Sequence, residues 1–89
     1  MWESQLATVK TFRAELRWQL RQAEWRGAPY IHINAGELHR KVGGYPGPNH
    51  RMPVCCNVMY REQRVGDKVL SSPPKGQGAS LTIRYKLPR

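Results

Sequence analysis

The hydrophobic residues at the start of the chain recur every three or four positions, which is the spacing of one face of an α-helix. These residues are Leu6, Val9, Phe12, Leu16, Leu20 and Ala23. Ser4 is a suitable N-cap because its hydroxyl can accept a first-turn N–H, whereas Gly27 and Pro29 stop the pattern. The pattern therefore predicts an amphipathic helix over about residues 4–26, with a largely basic solvent face.

A short strand and a short helix are predicted next. The β-branched residues at 30–33 favour a strand that buries its two isoleucines, with His32 either turned outward or paired at the strand edge. Asn34 and Glu37 have the spacing of a capping box, in which each side chain bonds the backbone N–H of the other residue. The following helix is expected to have about two turns and to end at Gly43, because glycine readily adopts the left-handed backbone of a C-cap.

A second capped helix follows, and Gly66 is expected to end it. Asn49 can cap this helix, and Pro53 fits its first turn, where a missing N–H is tolerated. Adjacent side chains on a helix diverge by about 100°, so we expect one of Cys55 and Cys56 in the core and the other half-exposed. The side away from the core carries donors and cations, namely His50, Arg51, Asn57, Arg61 and Arg64.

The last part of the chain predicts a β-hairpin over about residues 67–87. A strand begins near Val69, and residues 73–78 form a loop rich in proline and glycine with Lys75 at its centre. Residues 79–87 then alternate between apolar and polar side chains, which is typical of a half-buried strand. The side chains expected to face inward are Leu81, Ile83, Tyr85 and Leu87.

The composition fits one small basic domain. A chain of 89 residues with a net charge of +9 is expected to attract polyanions. Residues 67–89 are the most one-sided segment, with five basic residues against Asp67 alone. Adjacent cysteines rarely pair with each other, so we expect reduced thiols and a cytoplasmic protein. We expect no transmembrane helix, because no apolar run reaches about 18 residues. We also expect no secretory signal, because residues 1–5 provide neither a charged n-region nor an apolar h-region.

The predicted order of elements is α-β-α-α-β-β, which defines an α+β class. This order, with a Gly/Pro-rich break at 43–48 and a cationic hairpin loop, resembles the winged helix-turn-helix family over the whole chain. The resemblance implies three helices with a small antiparallel sheet and a helix-turn-helix at about residues 35–65. It also implies binding of double-stranded DNA without catalysis or a cofactor, by a small transcription regulator or the targeting module of a DNA-processing system. The turn at 43–48 is longer than in the simplest members of the family.

The resemblance assigns residues 49–64 to the recognition helix and residues 73–78 to the wing tip. Arg and Asn side chains match the hydrogen-bonding edges of guanine and adenine, and lysines contact phosphates. The N–H groups at the start of the recognition helix are expected to be free for a phosphate. The predicted DNA-binding residues are Asn49, His50, Arg51, Asn57, Arg61, Arg64, Lys75, Gln77, Arg84 and Lys86.

Two enzymatic or metal-binding alternatives have weaker patterns. His32, His39, His50 and the two cysteines are zinc-ligand types, but the chain lacks the usual C-x₂-C spacing. The order of His39, Asn49 and His50 invites comparison with HNH nucleases, which need a ββα scaffold that the predicted helices do not provide. We therefore expect no catalytic residue and no metal ligand.

A protein-docking function is the main alternative, because winged helices also serve as rigid docking domains. Trp2, Trp18 and Trp25 extend the apolar surface of the N-terminal helix beyond one stripe. They either complete the core or form the contact of a homodimer through this helix. A pure docking domain does not need a charge of +9, whereas a DNA-binding protein gains affinity from it through counterion release.

Overall fold

Three helices and a three-stranded antiparallel sheet make up the computed structural model, which describes residues 7–47 and 50–89. The elements are α1 (Val9–Trp25), β1 (Tyr30–Asn34), α2 (Ala35–Val42), α3 (Met52–Arg61), β2 (Lys68–Ser71) and β3 (Thr82–Lys86). The strands lie in the order β1-β3-β2, and the three helices pack together on one face of the sheet. The predicted α+β class and order of elements are confirmed.

The start of α1 differs from the prediction because a capping box fixes it at Val9. The Oγ1 of Thr8 accepts the N–H of Thr11 at 3.2 Å, and the Oγ1 of Thr11 accepts the N–H of Thr8 at 2.8 Å. The predicted cap, Ser4, lies outside the described residues. Val9 is exposed, but the rest of the described stripe is buried as predicted, at Phe12, Leu16, Leu20 and Ala23.

The sheet turns its apolar side chains towards the helices. Ile33, Ile83 and Tyr85 are buried, as the alternation predicted, and His32 points outward, which is one of the two positions expected for it. The hydroxyl of Tyr85 donates a hydrogen bond to the carbonyl of Met59 at 2.8 Å. Burial raises the pKa of Tyr85, so this hydroxyl remains a donor. The central strand is thereby tied to the last turn of α3.

The ends of α2 and α3 agree with the prediction only in part. Asn34 caps α2 by accepting the N–H of Glu37 at 3.0 Å, but the exposed Glu37 carboxylate makes no return bond to a described N–H. Gly43, with a φ of +114°, ends α2 as predicted. Gly66 was wrongly predicted to end α3, since that helix stops at Arg61 and Gly66 lies in the turn to β2. Asn49, the predicted cap of α3, lies outside the described residues.

One prediction about exposure is wrong, and one of the two alternatives for the tryptophans is ruled out for Trp18 and Trp25. Cys55 and Cys56 are both completely buried, because Cys55 faces α2 and the hairpin loop covers Cys56. Trp18 and Trp25 do not complete the core, because they lie on the solvent side of α1 and remain 55% and 86% exposed. Trp2 lies outside the described residues.

The carboxylate of Asp67 joins the turn after α3 to the last strand. Its two oxygens accept the N–H groups of Arg64 and Lys86, each at 2.7 Å. They also pair with the guanidinium of Arg89 at 3.0 and 3.1 Å. The Asp67 and Arg89 side chains are only 0% and 8% exposed. Arg89, predicted as part of the one-sided hairpin charge, is therefore neutralised inside the fold.

The pKa of Asp67 makes this contact a source of pH-dependent stability. Burial alone would raise the pKa, but the two N–H groups and Arg89 outweigh it and hold the pKa below its ordinary value of 3.8. A carboxyl group of this kind stabilises the fold above its unfolded pKa. That stabilisation is lost as the pH falls through the lower pKa of the folded state.

Replacing Arg89→Ala is expected to leave the Asp67 carboxylate buried without its cation. The free energy of unfolding should fall by about 3–5 kcal/mol, the usual cost of breaking a buried ion pair on one side. Urea denaturation at neutral pH measures this change. Lys68→Ala is the control, because Lys68 is exposed and pairs with no acid among the described residues, and its effect should stay within about 0.5 kcal/mol. Equal effects of the two substitutions would contradict the structural role of Arg89.

Candidate nucleic-acid interface

Two imidazoles hold the start of α3. The Nε2 of His39 accepts the N–H of Arg51 at 2.9 Å, and the Nδ1 of His50 accepts the N–H of Met52 at 3.3 Å. His39 is completely buried, and its ring meets the ring of Phe12 edge-on with centroids 4.9 Å apart. The expectation that these N–H groups are free for a phosphate is therefore wrong for Arg51 and Met52.

The hairpin loop folds back onto α3 instead of projecting away from it. The hydroxyl of Tyr60 donates to the carbonyl of Gly76 at 2.7 Å. The Nε2 of Gln77 donates to the Oδ1 of Asn57 at 2.9 Å. Both contacts join the loop to side chains that lie close together on α3, one turn or less apart. They hold Lys75, which precedes Gly76, beside this helix.

The exposed residues along α3 and on the docked loop form what we call the helix–loop surface. Its members are Arg51, Asn57, Arg61, Lys75 and Gln77. None of its three cations has an ion pair with another residue in the described ranges. The Oδ1 of Asn57 is engaged by Gln77, so the amide nitrogen of Asn57 is left to donate to a ligand.

The acidic residues that follow α2 in the chain do not neutralise this surface. Glu62 turns towards α1, where it pairs with Arg17 at 3.1 Å and with Arg13 at 3.9 Å. Asp67 is enclosed with Arg89. The helix–loop surface consequently keeps its positive charge, which is the electrostatic requirement for binding a phosphate backbone.

The other predicted DNA-binding residues lie elsewhere. Arg64 comes after the end of α3 and lines an open cleft of about 310 Å³ together with Arg21 and Arg89. Lys86 and Arg84 project from the outer face of the sheet, away from the helices. His50 is exposed at the start of α3, and Asn49 lies outside the described residues. The predicted set is therefore divided between separate surfaces.

Sequence reasoning missed two residues that shape this interface. His39 was weighed from the sequence as a zinc-ligand type and in the comparison with HNH nucleases, and its burial was not predicted, although its position beside Ala35, Leu38 and Val42 on α2 is typical of a buried helix face. Tyr60 was not singled out at all. Its bond to Gly76 joins residues 16 positions apart, and no local sequence pattern predicts such a contact.

The two thiols are poor candidates for chemistry. The Sγ of Cys55 donates to the carbonyl of Ala35 at 3.5 Å, and the Sγ of Cys56 donates to the carbonyl of Gly78 at 3.4 Å. Burial, and then the neighbouring Cys56, raise the pKa of Cys55 to about 12. Burial also raises the pKa of Cys56, against the opposing effect of the Gly78 N–H. A nucleophile or zinc ligand must be a thiolate, which these surroundings disfavour.

The described residues offer neither a metal-binding group nor a membrane-crossing helix, and no match to a known protein was found. Within residues 7–47 and 50–89, no three His, Cys, Asp or Glu side chains form a group that could hold a metal ion. No helix in the same ranges has the length and apolar character needed to cross a membrane. No protein-family model, curated protein or solved structure matches the chain. The function is therefore inferred from the geometry of the molecule itself.

The burial of both thiols predicts slow modification by a disulfide reagent. At pH 8 the folded protein should leave Cys55 and Cys56 unmodified, and both should react once urea unfolds the chain. The released thiolate of the reagent, followed by absorbance, measures the rate. Ser72→Cys in the exposed loop is the control and should react at once. Rapid reaction of either native cysteine in the folded protein would contradict the packing of α3 described here.

Proposed function

We propose that the protein binds double-stranded DNA, without catalysis, as a winged-helix-like domain. The observation that carries this proposal is the docking of the hairpin loop on α3 through Tyr60 and Gln77, which joins helix and loop into one cationic surface. α3 has ten residues and is about 15 Å long, which suits the major groove of B-DNA. The order of helices and strands supports the same conclusion.

The residues of the helix–loop surface have distinct proposed roles. The guanidinium of Arg61 presents a fork of donors that matches the two acceptors of guanine. Asn57 donates to a base edge through its amide nitrogen, while Gln77 fixes the orientation of that amide. Lys75 and Arg51 contact phosphates on either side of the groove. Transcription regulation, or targeting of a DNA-processing system, is the biological role that we propose, in the cytoplasm, with which two free thiols are compatible.

A protein-docking function remains the second candidate, because α1 exposes two large aromatic side chains. Trp18 and Trp25 are seven residues apart, so they lie on the same side of the helix about two turns from each other. Exposed tryptophans are enriched at protein interfaces, and a homodimer through α1 would cover them. Arg21 lies between them on the same side of α1 and is exposed, so a homodimer through this side would bring like charges near the contact, which opposes it.

Two substitutions on the helix–loop surface separate base recognition from phosphate contact. Arg61→Ala should reduce the preference between duplex sequences. Lys75→Ala should weaken binding about equally on all duplexes and lower the slope of log affinity against log salt by about one. Fluorescence anisotropy of labelled duplexes at several salt concentrations measures both effects. Lys10→Ala on α1 is the control and should change neither.

The same titration distinguishes the competing accounts. Equal effects of Arg61→Ala and Lys75→Ala on every duplex would contradict the base-recognition role of α3. An absence of duplex binding at low salt would contradict the DNA-binding proposal itself. It would favour the docking function through the exposed tryptophans of α1.

A further inference from the structure

The outer face of the sheet carries a second group of side chains, which are exposed except for the half-buried Arg84. The inward positions of β1 and β3 are filled by core residues, so the alternate positions point away from the helices. We call this group the outer sheet face. Its members are Tyr30 and His32 on β1, Arg84 and Lys86 on β3, and Lys68 on β2.

The strand register brings these side chains together. Tyr30 is paired with Lys86, and Arg84 is paired with His32 on one side and with Lys68 on the other. Neighbouring strands are about 4.8 Å apart, so each paired row is a continuous line of side chains across the sheet. The outer sheet face is therefore compact and draws on all three strands.

The two aromatic rings on this face are already stacked on each other. The rings of Tyr30 and His32 lie nearly parallel, at 18°, with their centroids 5.4 Å apart. The guanidinium of Arg84 lies 5.3 Å from the centre of the Tyr30 ring. Tyr30 is nevertheless 48% exposed. His32 is exposed as well, so a planar group can add to this stack, which is how unpaired bases bind aromatic platforms.

The electrostatics of the outer sheet face favour an anionic ligand. Lys68, Arg84 and Lys86 form no ion pair with another described residue, and none of the three strands contains an acidic residue. Asp67 precedes Lys68, but its carboxylate is completely buried and paired with Arg89. Three unopposed cations therefore surround the stacked rings.

We propose that the outer sheet face binds single-stranded DNA, with bases stacked on Tyr30 and His32 and phosphates held by Lys68 and Lys86. A duplex does not fit this arrangement, because its bases are already stacked on each other and cannot reach the ring faces. This function goes beyond duplex binding and uses none of the residues of the helix–loop surface.

We assign the strand to DNA because two polar side chains at one end of this face, Asn34 and Thr82, already have partners within the fold. The Nδ2 of Asn34 donates to the Oγ1 of Thr82 at 3.2 Å, and that hydroxyl donates to the carbonyl of Ser80, also at 3.2 Å. Both side chains are thus engaged within the fold. A site that selects RNA needs polar groups free to contact the 2′-hydroxyl, and these two side chains do not supply them.

The test is the affinity for a labelled oligothymidylate of about ten nucleotides, a length within the usual site size. The double variant Tyr30→Ala/His32→Ala should weaken binding about tenfold or more, since each stacked base contributes strongly to affinity. Tyr30→Phe keeps the ring and should bind as the parent protein does. Trp25→Ala removes an exposed aromatic residue from α1 and is the matched control.

Duplex binding by the same samples separates this proposal from the proposed function. Loss of oligothymidylate binding in the double variant, with duplex binding and the melting temperature retained, supports a separate single-strand site. If the double variant does not fold, Lys68→Gln decides, and it should weaken oligothymidylate binding about threefold and lower the salt slope by about 0.7.

Several results would overturn the single-strand proposal whatever the duplex measurement gives. These are an absence of binding by the parent protein, an unchanged affinity in the double variant, and an equal loss in Trp25→Ala. If Lys68→Gln is the deciding variant, an unchanged affinity for oligothymidylate would also overturn the proposal. A tenfold preference for the corresponding RNA strand would overturn the assignment to DNA.

Discussion

The buried pairing of Asp67 with Arg89 is the constraint on which the placement of the hairpin depends. Asp67 accepts hydrogen bonds from the turn after α3 and from the backbone of β3. The guanidinium of Arg89 lies 5.2 Å from the centre of the Tyr85 ring, and the hydroxyl of Tyr85 donates to α3. A buried ion pair adds little net stability, but leaving it half-formed is costly. We infer that it mainly selects one position of the hairpin relative to α3, and the loop contacts of Tyr60 and Gln77 require that position.

The same pairing decides where positive charge remains available. Asp67 is enclosed and Glu62 is engaged with arginines of α1, so neither opposes the cations of α3, the loop or the outer sheet face. The net charge of +9 is consequently not spread evenly. Positive charge remains on the helix–loop surface, where we propose that a duplex binds. It also remains on the outer sheet face, where we propose that an unpaired strand stacks on the aromatic rings. One arrangement of acids is thus compatible with both proposed modes of nucleic-acid binding.

The repeating patterns of the sequence were sufficient for the elements but not for the site. The three- and four-residue spacing of α1 and the alternation of β3 predicted their buried faces, because local geometry dictates which side chains share a side. The contacts that build the interface join distant parts of the chain. The bond of His39 to Arg51 and the burial of Arg89 depend on tertiary packing, and neither leaves a local signal. Arg84 and Lys86 were therefore grouped with the loop although the strand alternation turns them to the opposite face.

An NMR map of the duplex on the protein would show whether DNA binds at the helix–loop surface. Backbone amide shifts of labelled protein would be followed while an unlabelled duplex is added. If the duplex binds at the helix–loop surface, the shifts should be concentrated in α3 and in residues 73–78, with the amides of α1 around Trp18 and Trp25 nearly unchanged. Shifts confined to α1, or an unchanged spectrum at low salt, would contradict the assignment of the helix–loop surface as the duplex-binding site.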